Sequence, residues 1–180
     1  MSSFATALGP PSTPIATGDA FPDIAFSAKT DRETCAYLGI DKNHAFTFSE
    51  ISGSFFVIEV FNIFCTRCPK NVPILNSLYA AAEKDPQLKG KIKVIGIAAS
   101  NNRKELDIYA RQYKVAFPAF ADDIFSSHIA LGKPRVPYTL FVKRNDTGED
   151  VIVSVHQGMF KPSAVLIDMI RDLLIHHASR

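Results

Sequence analysis

Hydrophobic residues along the chain fall into short dense runs that are separated by polar turns and by helical stripes. Residues 55–62 and 92–98 are mostly apolar and rich in β-branched side chains, which predicts two central strands that are buried on both faces. A short strand is predicted at 117–121, and two more at 138–143 and 150–155, joined by a hairpin turn at Asn145-Asp146-Thr147-Gly148.

Apolar residues at a spacing of three or four predict helices between these strands. Pro73 lies inside the first helix, so a kink is expected there. Pro69 removes an N–H group from the first helical turn, so this helix is expected to begin late or slightly distorted. The predicted helices run from about 66 to 84, from Asn102 with Glu105 as its capping-box partner, from Asp122 or Asp123 to Gly132, and from about 162.

The N-terminal part adds a hairpin extension to this pattern. Residues 23–28 and 45–48 alternate and predict two short strands with a long irregular connection. Residues 1–17 are rich in Ala, Ser, Thr and Pro and predict a flexible arm, followed by one domain over 18–180. The arm has no basic segment followed by a long apolar one, so it is not an intact signal peptide. The order β-α-β-α-β-α-β-β-α predicts an α/β sandwich with a mixed sheet.

Composition narrows the possible partners. The chain has 180 residues, of which 47% are hydrophobic and 21% are charged, as expected for one globular domain. A formal net charge of +2 gives no electrostatic footprint for nucleic acid or for an anionic membrane. The most apolar stretch, Phe55 to Cys65, contains Glu59 and Asn62 and is too short to span a bilayer.

The chemistry points to two of the three cysteines, which form Cys65-Thr66-Arg67-Cys68 directly after a buried strand. At the start of the predicted helix, unpaired N–H groups favour the thiolate of Cys65, and Arg67 adds to this effect. We expect Cys65 to be the exposed attacking thiol and Cys68 the more buried resolving thiol. Half of a metal site is the alternative, but it needs two more ligands.

The chain resembles the thioredoxin fold, a three-layer α/β sandwich whose mixed central sheet is flanked by helices. The motif, Pro73 and the run Val136-Pro137-Tyr138-Thr139 before a strand carry the likeness. The extra helix-strand unit from Asn102 to Ala121 resembles the branch that includes TlpA, ResA and the peroxiredoxins. Similar segments of that branch are found at Gly18 to Asp23, at Phe48 to Gly53 and at Phe117-Pro118 with Asp122.

The resemblance assigns roles to several residues. Pro137 is expected to be cis and to pack against the active-site disulfide beside Val136, where the partner's backbone is received. Glu59 matches the buried acid that exchanges a proton with the resolving cysteine, here Cys68; a structural glutamate paired with Lys or Arg is the alternative. Asn71 stands where ResA-like reductases carry an acid. The expected substrate-binding residues are Phe64, Thr66, Arg67 and Val136.

The implied function is a thiol-disulfide oxidoreductase of TlpA/ResA type that exchanges disulfides with partner proteins and needs no cofactor or metal. Two alternatives stay open. A Sco-like copper-binding assembly factor would use His128 or His156 beside the cysteines. A peroxiredoxin-like thiol peroxidase would need Thr and Pro where this chain has Asn62 and Ile58. The resemblance also implies a periplasmic or otherwise exported bacterial protein, compatible with a membrane-tethered precursor, and we expect a monomer.

Overall fold

The structure is a computed structural model and describes residues 13–26, 31–41 and 45–161. The strands in these ranges are β1 (Ala25–Phe26), β2 (Phe46–Thr47), β3 (Phe55–Phe61), β4 (Ile92–Ala99), β5 (Ala119–Asp122), β6 (Tyr138–Arg144) and β7 (Asp150–Gln157). The helices are α1 (Arg32–Leu38), α2 (Val72–Lys84), α3 (Arg103–Tyr113) and α4 (Ser126–Ala130). No helix in this part of the chain has the length and apolar character to cross a membrane.

The centre of the fold is a mixed five-stranded sheet in the order β5-β4-β3-β6-β7. β3 pairs in parallel with β4 and β4 with β5, whereas β6 runs antiparallel to both β3 and β7. Every residue of β3 and β4 is buried. Their apolar side chains pack into hydrophobic clusters on both faces of the sheet, as the two apolar runs predict. The predicted mixed α/β sandwich is therefore confirmed.

The helix after the cysteine motif begins later than residue 66. A 3₁₀ turn covers Cys68–Lys70, and α2 starts only at Val72. Pro69 has no N–H and Pro73 falls in the first turn of α2, where a proline is tolerated. The late start expected from Pro69 is therefore confirmed. The prediction of a kink at Pro73 is wrong, because this proline belongs to the helix start and not to its interior.

The capping prediction for α3 is confirmed, whereas the N-cap of α4 is Phe125 and Asp122 binds its first turn from outside the N-cap position. Asn102 accepts a hydrogen bond from Glu105 N, and the Glu105 side chain accepts one from Asn102 N, both at 3.0 Å. Asp122 accepts hydrogen bonds from Ser127 N at 3.0 Å and from His128 N at 2.9 Å. The contacts in both helices satisfy N–H groups that the first helical turn leaves without partners.

The N-terminal extension differs from its prediction in two respects. β1 and β2 pair antiparallel as predicted, but their connection contains α1, which Asp31 caps through Thr34 N at 2.7 Å. Ile15 lies within the predicted flexible arm and is nevertheless buried, with its carbonyl accepting from the Tyr138 hydroxyl at 2.8 Å. Ile15 thus packs against the domain, and its N–H also donates to Leu131 O at 3.2 Å. The boundary of the arm at residue 17 stays a prediction. Residues 1–12 and the helix predicted from about 162 lie outside the described residues.

Candidate active site

The two motif cysteines lie in the turn that follows β3 and form a disulfide, with their Cα atoms 5.5 Å apart. Cys68 is 1% exposed and packs in a hydrophobic cluster, whereas Cys65 is half-buried. The predicted difference between the two thiols is therefore present in the fold. Of the two cysteines, Cys65 is the more exposed.

The N–H group that faces the outer sulfur belongs to the 3₁₀ turn and not to α2. Cys68 N donates to Cys65 Sγ at 3.2 Å, while α2 begins only at Val72. The predicted stabilisation of a Cys65 thiolate by the long helix is thus replaced by a local contact with this turn. A backbone N–H that points at sulfur favours the negative charge in the same way.

The loop before β6 lies directly against the disulfide. The Val136–Pro137 peptide bond is cis, and the Val136 carbonyl oxygen is 3.8 Å from Cys65 Sγ. Pro137 is buried behind this carbonyl, and Val136 itself is half-buried. Residues that are far apart in the sequence thus meet at the outer sulfur, as the resemblance implies.

A groove of about 390 Å³ opens beside Cys65. Phe64 and Cys65 form one wall, and Val136 and His128 contribute to the other. Phe64 is 76% exposed, an unusual fraction for so large an apolar side chain. Thr66 and Arg67 are also exposed, in the turn between the two cysteines.

The carboxyl of Glu59 is buried in the middle of β3 and is 3% exposed. Asn71 Nδ2 donates to its Oε1 at 2.9 Å, and the Thr139 hydroxyl donates to its Oε2. The partners are an amide and a hydroxyl, so these hydrogen bonds do not support the alternative of a glutamate paired with Lys or Arg. Burial raises the pKa of Glu59 to about 7, against the opposing effect of the two hydrogen bonds.

Glu59 and the inner cysteine face the same enclosed space. A cavity with a volume of about 10 Å³ is lined by Glu59, Cys68 and Tyr109, among other side chains. This volume is near the lower limit for one water molecule, about 10–15 Å³. The Glu59 carboxyl and the Cys68 side chain thus line one small cavity.

Known structures resemble the fold that carries this site. One is a proposed protein disulfide isomerase from Bacteroides thetaiotaomicron, with 20% identity, a TM-score of 0.67 and coverage of 96% of this chain and 98% of that one. The chain has a thioredoxin-like fold. Another is the thioredoxin domain of a thiol-disulfide oxidoreductase from Bacteroides vulgatus, with 16% identity, a TM-score of 0.64 and coverage of 88% and 98%.

A third structure with this thioredoxin-like fold is a secreted disulfide oxidoreductase of Mycobacterium tuberculosis, homologous to E. coli DsbE. It has 16% identity, a TM-score of 0.53 and coverage of 77% of this chain and 88% of that one. No family model and no curated protein sequence matches the chain. The fold is therefore established by structure, at a level of identity where sequence comparison alone does not find it.

Three polar residues that are not among the predicted site residues stabilise the site: Asn62, Asn101 and Thr139. Asn62 donates from its Nδ2 to Ala99 O at 2.7 Å, and Asn101 Oδ1 accepts from Ile63 N at 3.0 Å. These two amides fix the turn that carries the cysteines to the end of β4. Thr139 lies opposite Glu59 in the register of β3 and β6. Each of these polar residues lies at or near the end of an apolar strand, and this position is the signal by which the sequence could identify them.

The residues that a copper-binding factor or a peroxidase would use make other contacts in this structure. Within residues 13–26, 31–41 and 45–161, no three His, Cys, Asp or Glu side chains are grouped so that they could hold a metal ion. His128 does line the groove with Cys65, but its Nε2 is 2.9 Å from Pro134 O and its Nδ1 is buried. His156 Nε2 also faces a backbone carbonyl. Asn62, at the position where a peroxidase has Thr, is engaged with the backbone.

Proposed function

We propose that the protein is a thiol-disulfide oxidoreductase that exchanges disulfides with other proteins through Cys65 and Cys68. The observation that carries this proposal is the half-buried Cys65 sulfur beside the Val136 carbonyl, bonded to a fully buried Cys68. An outer sulfur that a client reaches and an inner sulfur that it does not reach are what a two-step exchange requires. The thiol-disulfide oxidoreductases among the similar structures support the same reaction class.

In the reducing direction, the Cys65 thiolate attacks one sulfur of a client disulfide. A new bond forms between Cys65 and the client, and the second client sulfur leaves as a thiolate, which takes a proton from solvent. Cys68 then loses its proton to Glu59 and attacks the Cys65 sulfur, which releases the first client sulfur as a thiolate. This thiolate takes a proton from solvent, and Glu59 gives up the proton that it received from Cys68. The client ends with two thiols and the protein with the Cys65–Cys68 disulfide; oxidation of a client dithiol is the reverse.

Glu59 acts as the proton relay in this scheme. A carboxyl with a pKa of about 7 is half ionised at neutral pH, so it takes a proton from the resolving thiol in one direction and returns it in the other. A surface glutamate stays ionised at this pH, so it is almost never in the protonated form that could return a proton. The shared cavity with Cys68 gives the proton a direct route.

The groove beside Cys65 receives the client segment that carries the reacting disulfide. Val136 offers its backbone next to the sulfur, and Phe64 offers an exposed apolar ring. Thr66 and Arg67 contact the client from the turn between the cysteines. An exported bacterial setting fits this function, since one of the similar structures is that of a secreted protein.

A redox titration tests the proposal directly. The protein is equilibrated with thiol-disulfide buffers of graded potential, the free thiols are alkylated, and the products are separated by mass. We expect Cys65 and Cys68 to gain and lose two labels together. The third cysteine, Cys35, is buried in α1, and a Cys35→Ser control should show the same midpoint. Turnover of a protein disulfide must be lost in Cys65→Ser and kept in Cys35→Ser. Independent titration of the two thiols, or full turnover in Cys65→Ser, would contradict the proposal.

A further inference from the structure

One buried side chain joins the three parts of the candidate site. Asn71 lies between the 3₁₀ turn and α2 and is 0% exposed. Its Nδ2 donates to Glu59 Oε1 at 2.9 Å and to Gly158 O at 3.2 Å. Its Oδ1 accepts from Phe160 N at 2.9 Å. The cysteine segment, the buried carboxyl and the segment after β7 are thus held by a single amide.

The backbone partners determine which way this amide faces. Phe160 N is a donor, so the atom opposite it must be Oδ1, and Gly158 O is an acceptor, so the atom opposite it must be Nδ2. The Glu59 carboxyl therefore faces an N–H and not an oxygen. The backbone of Asn71 is fixed as well, because its N–H donates to Cys68 O at 3.1 Å and its carbonyl accepts from Leu75 N at 3.0 Å.

The other groups that surround Glu59 come from the neighbouring strands β4 and β6 and from the residues that line the cavity. Thr139 on β6 donates to Oε2, and Gly96 on β4, in register with Glu59, has no side chain. The titratable groups that line the cavity with Glu59 are Cys68 and Tyr109. His156 on β7 lies opposite Thr139, one strand further away. Asn71 is thus the donor on one carboxyl oxygen and Thr139 the donor on the other.

We propose that Asn71 is a positioning residue for the exchange reaction: by holding Oε1 of Glu59 it orients the carboxyl toward Cys68 and favours the ionised carboxylate. The inference rests on the proposed function, in which this carboxylate receives the Cys68 proton. An N–H that donates to a carboxylate stabilises its charged form. Without Asn71 the carboxyl keeps its proton to higher pH, and the resolving step needs a more alkaline solution.

The chain offers a matched control on the same helix. Asn76 donates from Nδ2 to Lys114 O at 2.8 Å and accepts at Oδ1 from Ala116 N at 2.9 Å. Like Asn71, Asn76 bonds backbone groups through both ends of its amide, but these groups belong to Lys114 and Ala116 and the amide does not face Glu59. Asn76→Asp therefore removes an amide donor from α2 and leaves the hydrogen bonds of the Glu59 carboxyl unchanged. Asn71→Asp and Asn71→Leu remove the donor that faces Glu59.

The test follows the Glu59 carboxyl itself by ¹³C NMR of the oxidised protein, with Glu59→Gln to assign its signal. We expect its titration midpoint to rise by about one pH unit in Asn71→Leu. The rise is larger in Asn71→Asp, where a second buried acid lies alongside, and is absent in Asn76→Asp. In single-turnover measurements the pH dependence of client release from Cys65 should move upward by the same amount. Asn71→Asp preserves the shape of the side chain and provides the test if Asn71→Leu does not fold.

Two results overturn the inference in different ways. If the Glu59 titration is the same in wild type and in both Asn71 variants, Asn71 does not position the carboxyl, and the proposed exchange reaction is unaffected. If the titration moves but client release keeps its pH dependence, Glu59 is not the proton relay. In that case the relay in the proposed function fails together with the role of Asn71.

Discussion

The buried carboxyl of Glu59 makes a quantitative prediction about folding stability. Replacing Glu59 with Gln removes the ionisable group but keeps its contacts. The new amide accepts from Asn71 Nδ2 through its oxygen and donates to the Thr139 hydroxyl through its nitrogen. The oxidised variant should therefore fold with the same core and differ from wild type chiefly in its response to pH.

The size of the difference follows from the pKa of Glu59, which burial raises from 4.5 to about 7. The gap is 7 − 4.5 = 2.5, which at 1.36 kcal/mol per unit corresponds to about 3 kcal/mol in the free energy of unfolding. The folded state holds the Glu59 proton more tightly than the unfolded state does. The stability that this proton contributes to wild type is therefore fully present only below a pH of about 4.5. Wild type loses this stability as the pH rises, and the loss levels off above a pH of about 7.

Urea unfolding of the oxidised proteins measures this difference without changing the ionic strength. At acid pH, we expect the free energies of unfolding of wild type and Glu59→Gln to differ by a nearly constant amount. The variant should then gain up to about 3 kcal/mol relative to wild type as the pH rises from about 4.5 to about 7. Contributions from other titrating groups cancel in the comparison. A difference that does not change across this range would show that Glu59 ionises in the folded protein as it does in solvent.

Three further substitutions test the surroundings of the site. Phe64→Ser should lower the rate of protein disulfide reduction several-fold while reduction of a small synthetic disulfide is unchanged, because the exposed ring contacts only a large client; equal losses for both substrates would refute this. Asp122→Ala removes the acceptor of two N–H groups of α4 and should destabilise the protein by about 1–2 kcal/mol in urea unfolding, with Asp123→Ala as the control. Tyr138→Phe removes the hydrogen bond to Ile15 O and should cost about 1 kcal/mol and speed proteolysis near Ile15; unchanged cleavage would show that this bond does not hold the segment.

The strands were predictable because their signal is local. A central strand in a mixed sheet must be apolar on both faces, and residues 55–62 and 92–98 have this pattern. Glu59 was recognisable for the same reason, since a lone carboxylate in such a run must either be paired or have a raised pKa. The structure confirms its burial and shows that its hydrogen bonds come from uncharged partners.

The remaining parts of the site depend on long-range register, which a single sequence does not specify. Thr139 meets Glu59 only because β6 pairs with β3 at that offset. Asn71 meets Phe160 only because the segment that follows β7 lies against the Asn71 side chain. The late start of α2 comes from Pro69 and Pro73 acting together, where the apolar stripe alone predicted one continuous helix.

Trapping of the mixed disulfide tests the central claim most directly. Reduced Cys68→Ser and Cys65→Ser are each mixed with a disulfide-bonded client protein, quenched with acid, and analysed by mass. The account predicts that Cys68→Ser accumulates a covalent adduct through Cys65, because the resolving sulfur is gone, and that Cys65→Ser forms none, because Cys68 is buried. An adduct through Cys68, or equal adducts in both variants, would contradict the assignment of the outer sulfur as the one that attacks.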